Sequence, residues 1–192
     1  MRIKMSFLLI VLHIAAFVHA QRIEFFREDI SFGIDTTFFT VNGDYYFRNS
    51  SDNSHSIVIA YPVRSNGTLK PIDTIMVFDE SDMAHALKVE VKDTVATFAV
   101  KIPPHSFKTL KIIYRQRHNG KEARYILLTT KFWDKPLEIA NYNLVIQKNI
   151  RINDFSIKPD NSVDFGNTMI YYWKREQFMP AKDFEIKFNP KG

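Results

Sequence analysis

Leu87-Lys88-Val89-Glu90-Val91-Lys92 alternates apolar and charged side chains with a period of two. In an extended chain this puts Leu87, Val89 and Val91 on one face and the three charges on the other, as in a half-buried strand. Asp93-Thr94 then turns the chain, and Ala96, Phe98 and Val100 resume the alternation. Residues 86–101 therefore read as a β-hairpin.

The same period recurs on both sides. Downstream, Phe107 to Arg117 carries Leu110, Ile112 and Tyr114 on one face. Asn119-Gly120 offers the positive φ angles of a tight turn, and residues 122–131 are expected to return as a second hairpin. Tyr142, Leu144 and Ile146 alternate with polar neighbours, Ile150, Ile152 and Phe155 follow, and 168–173 with 183–188 read as a closing strand pair. Upstream, Ile57, Ile59 and Tyr61 alternate ahead of Pro62, and 72–78 is a short apolar strand. Asn42-Gly43 either turns a hairpin or bulges one long strand from 35 to 48. Helical periodicity is confined to 80–86 and 135–140, both too short for a stable helix. Many short strands separated by turn residues predict an all-β fold. The uneven spacing favours an immunoglobulin-like β-sandwich of roughly 9–12 short, mostly antiparallel strands over a regular barrel.

The first 20 residues read as an export signal. Arg2 and Lys4 precede the apolar run Phe7 to Val18, broken only by His13, and Val18-His19-Ala20 suits signal peptidase. The run is short for a membrane span, which needs about 20 apolar residues. Cleavage at Ala20-Gln21 leaves 21–192 as a single sandwich domain, with 131–137 the best break if there are two units. No second run of spanning length follows, so no transmembrane span is expected in the mature chain. There is no cysteine, which removes disulfides, zinc–thiolate sites and thiol nucleophiles. The 26 basic and 21 acidic residues are scattered, with none of the clustered basic stripe that nucleic acid requires.

Chemistry-bearing motifs are sparse. His55, His85, His105 and His118 are spread along the chain without H-x-H or H-E-x-x-H spacing. No G-x-S-x-G elbow is present, and Ser54-His55 would point to opposite faces of a strand. Asp79, Glu80 and Asp82 read as a solvated loop, and Glu28-Asp29 is a weaker acidic pair still. The six glycines form no phosphate-binding pattern. No catalytic residue, metal site or cofactor is assigned. The aromatics remain: Trp133, and Tyr171 with Trp173 on a shared strand face, form the candidate ligand platform. Asn49-Ser50-Ser51 and Asn66-Gly67-Thr68 match the glycosylation acceptor pattern.

Tyr45-Tyr46-Phe47-Arg48-Asn49, a polar loop, Ile57 to Pro62, and later Trp133-Asp134-Lys135-Pro136-Leu137 together resemble a group of exported bacterial β-domains of unknown function. Those show a Y-x-F-x-N strand, an apolar strand ending in Pro and a later W-x-x-P step. The resemblance spans about 21–147 and implies an envelope β-domain without an enzyme activity. Read from the residues alone, Y-x-F-x-N is a strand meeting an Asx-type turn. The combined expectation is a secreted or periplasmic, non-enzymatic binding or structural module with an envelope or extracellular protein partner. It would make contact through loops or a free strand edge. The alternatives are a carbohydrate-binding protein using the aromatics and a hydrolase with acids from separate strands.

Overall fold

A computed structural model describes residues 23–63 and 68–190. The expected export signal, its cleavage point and Asn66-Gly67 lie outside them. Fourteen strands run through the described residues. They are β1 (Ile23–Ile34), β2 (Phe38–Asn49), β3 (His55–Pro62), β4 (Leu69–Asp79), β5 (Asp82–Ala86), β6 (Glu90–Lys92) and β7 (Val95–Ile102). Then come β8 (Ser106–His118), β9 (Glu122–Tyr125), β10 (Leu137–Gln147), β11 (Ile150–Phe155), β12 (Asn161–Phe165), β13 (Thr168–Phe178) and β14 (Phe184–Pro190). The chain is all-β and sandwich-like, as the alternation predicts, with several strands longer than expected.

One layer is an eight-stranded sheet in the order β12-β13-β10-β1-β2-β8-β4-β5. The other layer is two three-stranded sheets, β11-β14-β9 and β3-β7-β6. Pairing is antiparallel except between β1 and β10. The core forms between the layers. Under β11-β14-β9, Phe32, Tyr142 and Trp173 of the large sheet pack on Phe184, with ring centroids 4.9, 5.5 and 4.8 Å away. Under β3-β7-β6, Tyr45 and Tyr114 meet Tyr61 edge-on at 5.7 and 5.9 Å.

Hairpin 86–101 forms in shortened form, β6 pairing with β7 around Asp93, which takes a φ of 52°. The hairpin expected at Asn119-Gly120 does not form. β8 is already flanked by β2 and β4, so it has no free edge for a return strand. The chain crosses to the second layer instead, where β9 pairs with β14, and 128–133 coils into a 3₁₀ turn. Likewise β13 lies between β10 and β12, so the expected closing pair separates and β14 joins β11 and β9. Segments 82–86 and 137–147 are strands rather than helix. Asn42-Gly43 neither turns nor bulges; β2 runs straight through. A Cβ on Gly43 would sit 2.6 Å from Ile30 Cδ1 and 2.7 Å from the Tyr45 ring, so the close approach requires glycine. Residues 131–137 lead into β10, which pairs with β1, so the segments before and after share one sheet.

Candidate functional site

The register of β1 decides what lies at the centre of the molecule. Ile23 and Phe25 point inward, and simple alternation would bury Arg27 and Asp29 next. A bulge between Phe25 and Arg27 inserts one residue and switches the parity. Glu28, Ile30, Phe32 and Ile34 turn inward instead, while Arg27 and Asp29 pair with each other outside at 2.7 Å. Bulges characteristically re-aim a side chain in this way. Glu28 ends 2% exposed, beside the small Ala140 on one neighbouring strand and opposite Tyr45 on the other.

Four tyrosines close around that carboxyl. Tyr142 Oη donates to Glu28 Oε1 at 2.5 Å and Tyr125 Oη donates to Oε2 at 3.2 Å. Tyr45 Oη lies 3.0 Å from Tyr125 Oη and 2.8 Å from Tyr61 Oη. Each hydroxyl has one proton. With Glu28 accepting, the chain runs Tyr61 to Tyr45 to Tyr125 to Glu28. Burial pushes the Glu28 carboxyl up to about 7, against the two tyrosine hydrogen bonds that lower it and with a small push from the Asp29 charge. Burial also holds Tyr45, Tyr61, Tyr125 and Tyr142 well above the ordinary tyrosine range. All four are therefore neutral donors near pH 7.

The relay ends in a cleft of about 410 Å³ between the two small sheets. Its floor is Phe25, Glu28, Tyr45 and Phe47 of the large sheet. One wall is the run Val58 to Pro62 of β3; the other is the segment 125–133, with Thr129, Thr130, Phe132 and Trp133. Glu28 is the one acid or base among the described lining residues. Asp183 holds the second wall in place. Its Oδ1 accepts Leu127 and Leu128 N–H at 3.0 Å each, and its Oδ2 takes Arg124 at 2.7 Å. Burial pushes Asp183 up, but those backbone donors and the guanidinium outweigh it and keep the carboxyl below its usual range.

Of the residues expected to form a platform, Trp133 lines this cleft, half-buried against Phe25 and Phe47 at 5.9 and 5.5 Å. Tyr171 and Trp173 do share a face, but it is the inner one. Trp173 is 2% exposed, packs on Phe155 and Phe184, and donates its indole N–H to Ile157 O. Tyr171 packs on Phe155, and it is Tyr172 that faces outward. The three do not converge. Glu28, dismissed in the sequence as half of an acidic pair, is the residue the fold makes central. The apolar parity switch from Ile23 and Phe25 to Ile30, Phe32 and Ile34 is the signal that carries it.

Asn49 does initiate an Asx turn, accepting Ser51 N–H at 3.0 Å. Ser51 Oγ lies 2.9 Å from His55 Nε2, yet no carboxylate orients that ring among the described residues, and Asp52 pairs with His105. The outer face of the large sheet carries a second, wider hollow of about 600 Å³. It is shallow, and its polar groups satisfy one another across strands: Ser31 with Asn143, Asn141 with Asp29, Lys111 with Asp44.

No family model and no curated protein matches this sequence. The fold, however, is shared. A candidate nutrient-binding protein of Legionella pneumophila superposes with a TM-score of 0.67 at 13% identity, over 88% of this chain and 67% of its own. The M1 zinc metallopeptidase of Deinococcus radiodurans superposes at 0.51 and 8% identity, over 87% of this chain and 42% of its own. A mutant of that metallopeptidase bound to a Tyr-Ser-Ala substrate gives 0.52. The chain thus spans about two-fifths of the metallopeptidase, and at these identities the likeness is one of fold.

Proposed function

We propose that the chain is a non-enzymatic binding module of the cell envelope or secreted space, allied to the exported bacterial β-domains it resembles, with its ligand seated in the Glu28 cleft. The observation that carries this reading is a buried carboxyl with no opposing Lys or Arg among the described residues, at the base of an aromatic cleft. The volume falls within the roughly 300–1,000 Å³ of ordinary ligand pockets, and apolar walls with a few convergent polar groups are their usual make-up. Catalysis by paired carboxylates needs a second acid across the cleft, and the described lining supplies one acid alone. The likeness to a candidate nutrient-binding protein supports a ligand-holding role for the fold.

The chain has two tryptophans, so a Trp173→Phe variant leaves Trp133 as the single fluorescent reporter in the cleft wall. Titrating it with primary amines, amino acids, short peptides and oligosaccharides is expected to give saturable emission changes with at least one class. Glu28→Gln should weaken that binding at least tenfold, with an unchanged circular dichroism spectrum. Absence of saturable binding across the panel, by fluorescence and by calorimetry on the unsubstituted chain, overturns the reading.

A further inference from the structure

The cleft is bounded by a strand edge rather than a strand face. Val58, Ile59, Ala60, Tyr61 and Pro62 all line it in succession, whereas a wall made by one face of a strand would use every second residue. Among the described residues β3 pairs on one side only, with β7, in unbroken antiparallel register. Val63 N–H donates to Thr94 O at 2.8 Å, the bond next in line after Pro62 and Val95. Backbone groups in an antiparallel pair turn alternately toward and away from the partner. Tyr61, Ile59 and Ile57 therefore bond to β7, and Ser56, Val58 and Ala60 turn their N–H and C=O groups to the open side. Two large apolar side chains stand at the lips: Val58 is 72% exposed on β3 and Phe132 is 79% exposed on the opposite wall. Exposed apolar groups rimming an unpaired edge mark a surface that a partner covers.

We propose that the cleft takes an extended peptide segment that pairs with the free edge of β3 and lowers a lysine side chain onto Glu28. The proposal rests on the binding reading above and names its ligand class. A strand laid beside β3, about 4.8 Å away, sends alternate side chains down between the layers toward Phe25, Tyr45, Phe47 and Glu28. The others pass between Val58 and Phe132. An apolar shaft ending at a single acid fits a four-carbon stem ending in a point charge. Both Glu28 oxygens already accept a tyrosine hydroxyl. Each oxygen keeps a second lone pair for an ammonium donor, which as a compact point charge needs no planar pair of acceptors held in register, whereas arginine's fork does. An arriving cation also restores the ionised carboxyl that burial opposes.

The test uses capped heptapeptide libraries with a fixed central lysine, a matching set with norleucine there, and the best lysine peptide N-methylated at alternate residues in each of the two registers. Binding is read by calorimetry on the unsubstituted chain. The lysine set should yield binders at least tenfold tighter than their norleucine partners, and Glu28→Gln should abolish that difference. One of the two N-methylated registers should lose binding, because it removes the donors that face β3. Equal binding of lysine and norleucine peptides, or indifference to both methylation patterns, overturns the proposal. Saturable binding of small amines or sugars in the cleft without any peptide binding overturns it too, while leaving the cleft as a ligand site. Silence of every probe overturns both.

Discussion

Glu28 shows how one inserted residue redirects chemistry. Burial pushes its carboxyl from the usual 4.5 to about 7, against the lowering hydrogen bonds of Tyr142 and Tyr125. The folded state thus holds a proton that the unfolded chain releases at lower pH. Stability from this group is fully present below about pH 4.5, falls as pH rises toward 7, and levels off above it. A shift of that size corresponds to roughly 3 kcal/mol. Denaturant melts at pH 5 and pH 8 should therefore show the unsubstituted chain losing stability of that order as the pH rises. Glu28→Gln should flatten this dependence. A wild-type stability independent of pH across that window would mean that the carboxyl stays ionised when buried.

The segment 126–133 matters as an element because it forms one wall of the cleft and its entry is tied down by one carboxylate. As a short 3₁₀ turn with no capping side chain of its own, it has few internal bonds. Asp183, arriving just ahead of β14, satisfies its first backbone donors and ties them to Arg124. Asp183→Ala removes a charged acceptor from two N–H groups and leaves the Arg124 guanidinium with Glu185 as its remaining partner. It should cost about 2–3 kcal/mol in denaturant unfolding. The wall should loosen as well, so Trp133 emission in a Trp173→Phe background becomes more accessible to acrylamide. An unchanged quenching constant would place the rigidity of the wall elsewhere.

At the scale of the whole molecule, the parallel pairing of β1 with β10 ties the first part of the chain to the last. It puts both at the centre of one sheet, and β14, near the C-terminal end, supplies Phe184, Ile186 and Phe188 to the core above them. Cutting within 131–137 strips β1 of β10, one of its two neighbours, and leaves Phe32 without the Phe184 ring. Residues 21–135 and 136–192 expressed separately should therefore each lack a cooperative melt and regain one on mixing. Two independent transitions would show instead that the chain contains two units.

Alternation alone determined that this protein is β, which residues of β7, β8 and β10 face the core, and where the hairpin at Asp93 turns, because those depend on local period and turn chemistry. Which strands become neighbours was decided by tertiary structure. β9 and β14 leave the partners next to them in sequence because β8 and β13 already have both edges occupied. The same limit explains the aromatics: period two places Tyr171 and Trp173 on one face, but only the second layer of sheet makes that face the interior. The parity switch in β1 was written in the sequence, yet Glu28 became a site only when tyrosines from four separate strands gathered beside it at the floor of the cleft. Burial and proximity are properties of the packed molecule, and no local pattern encodes them.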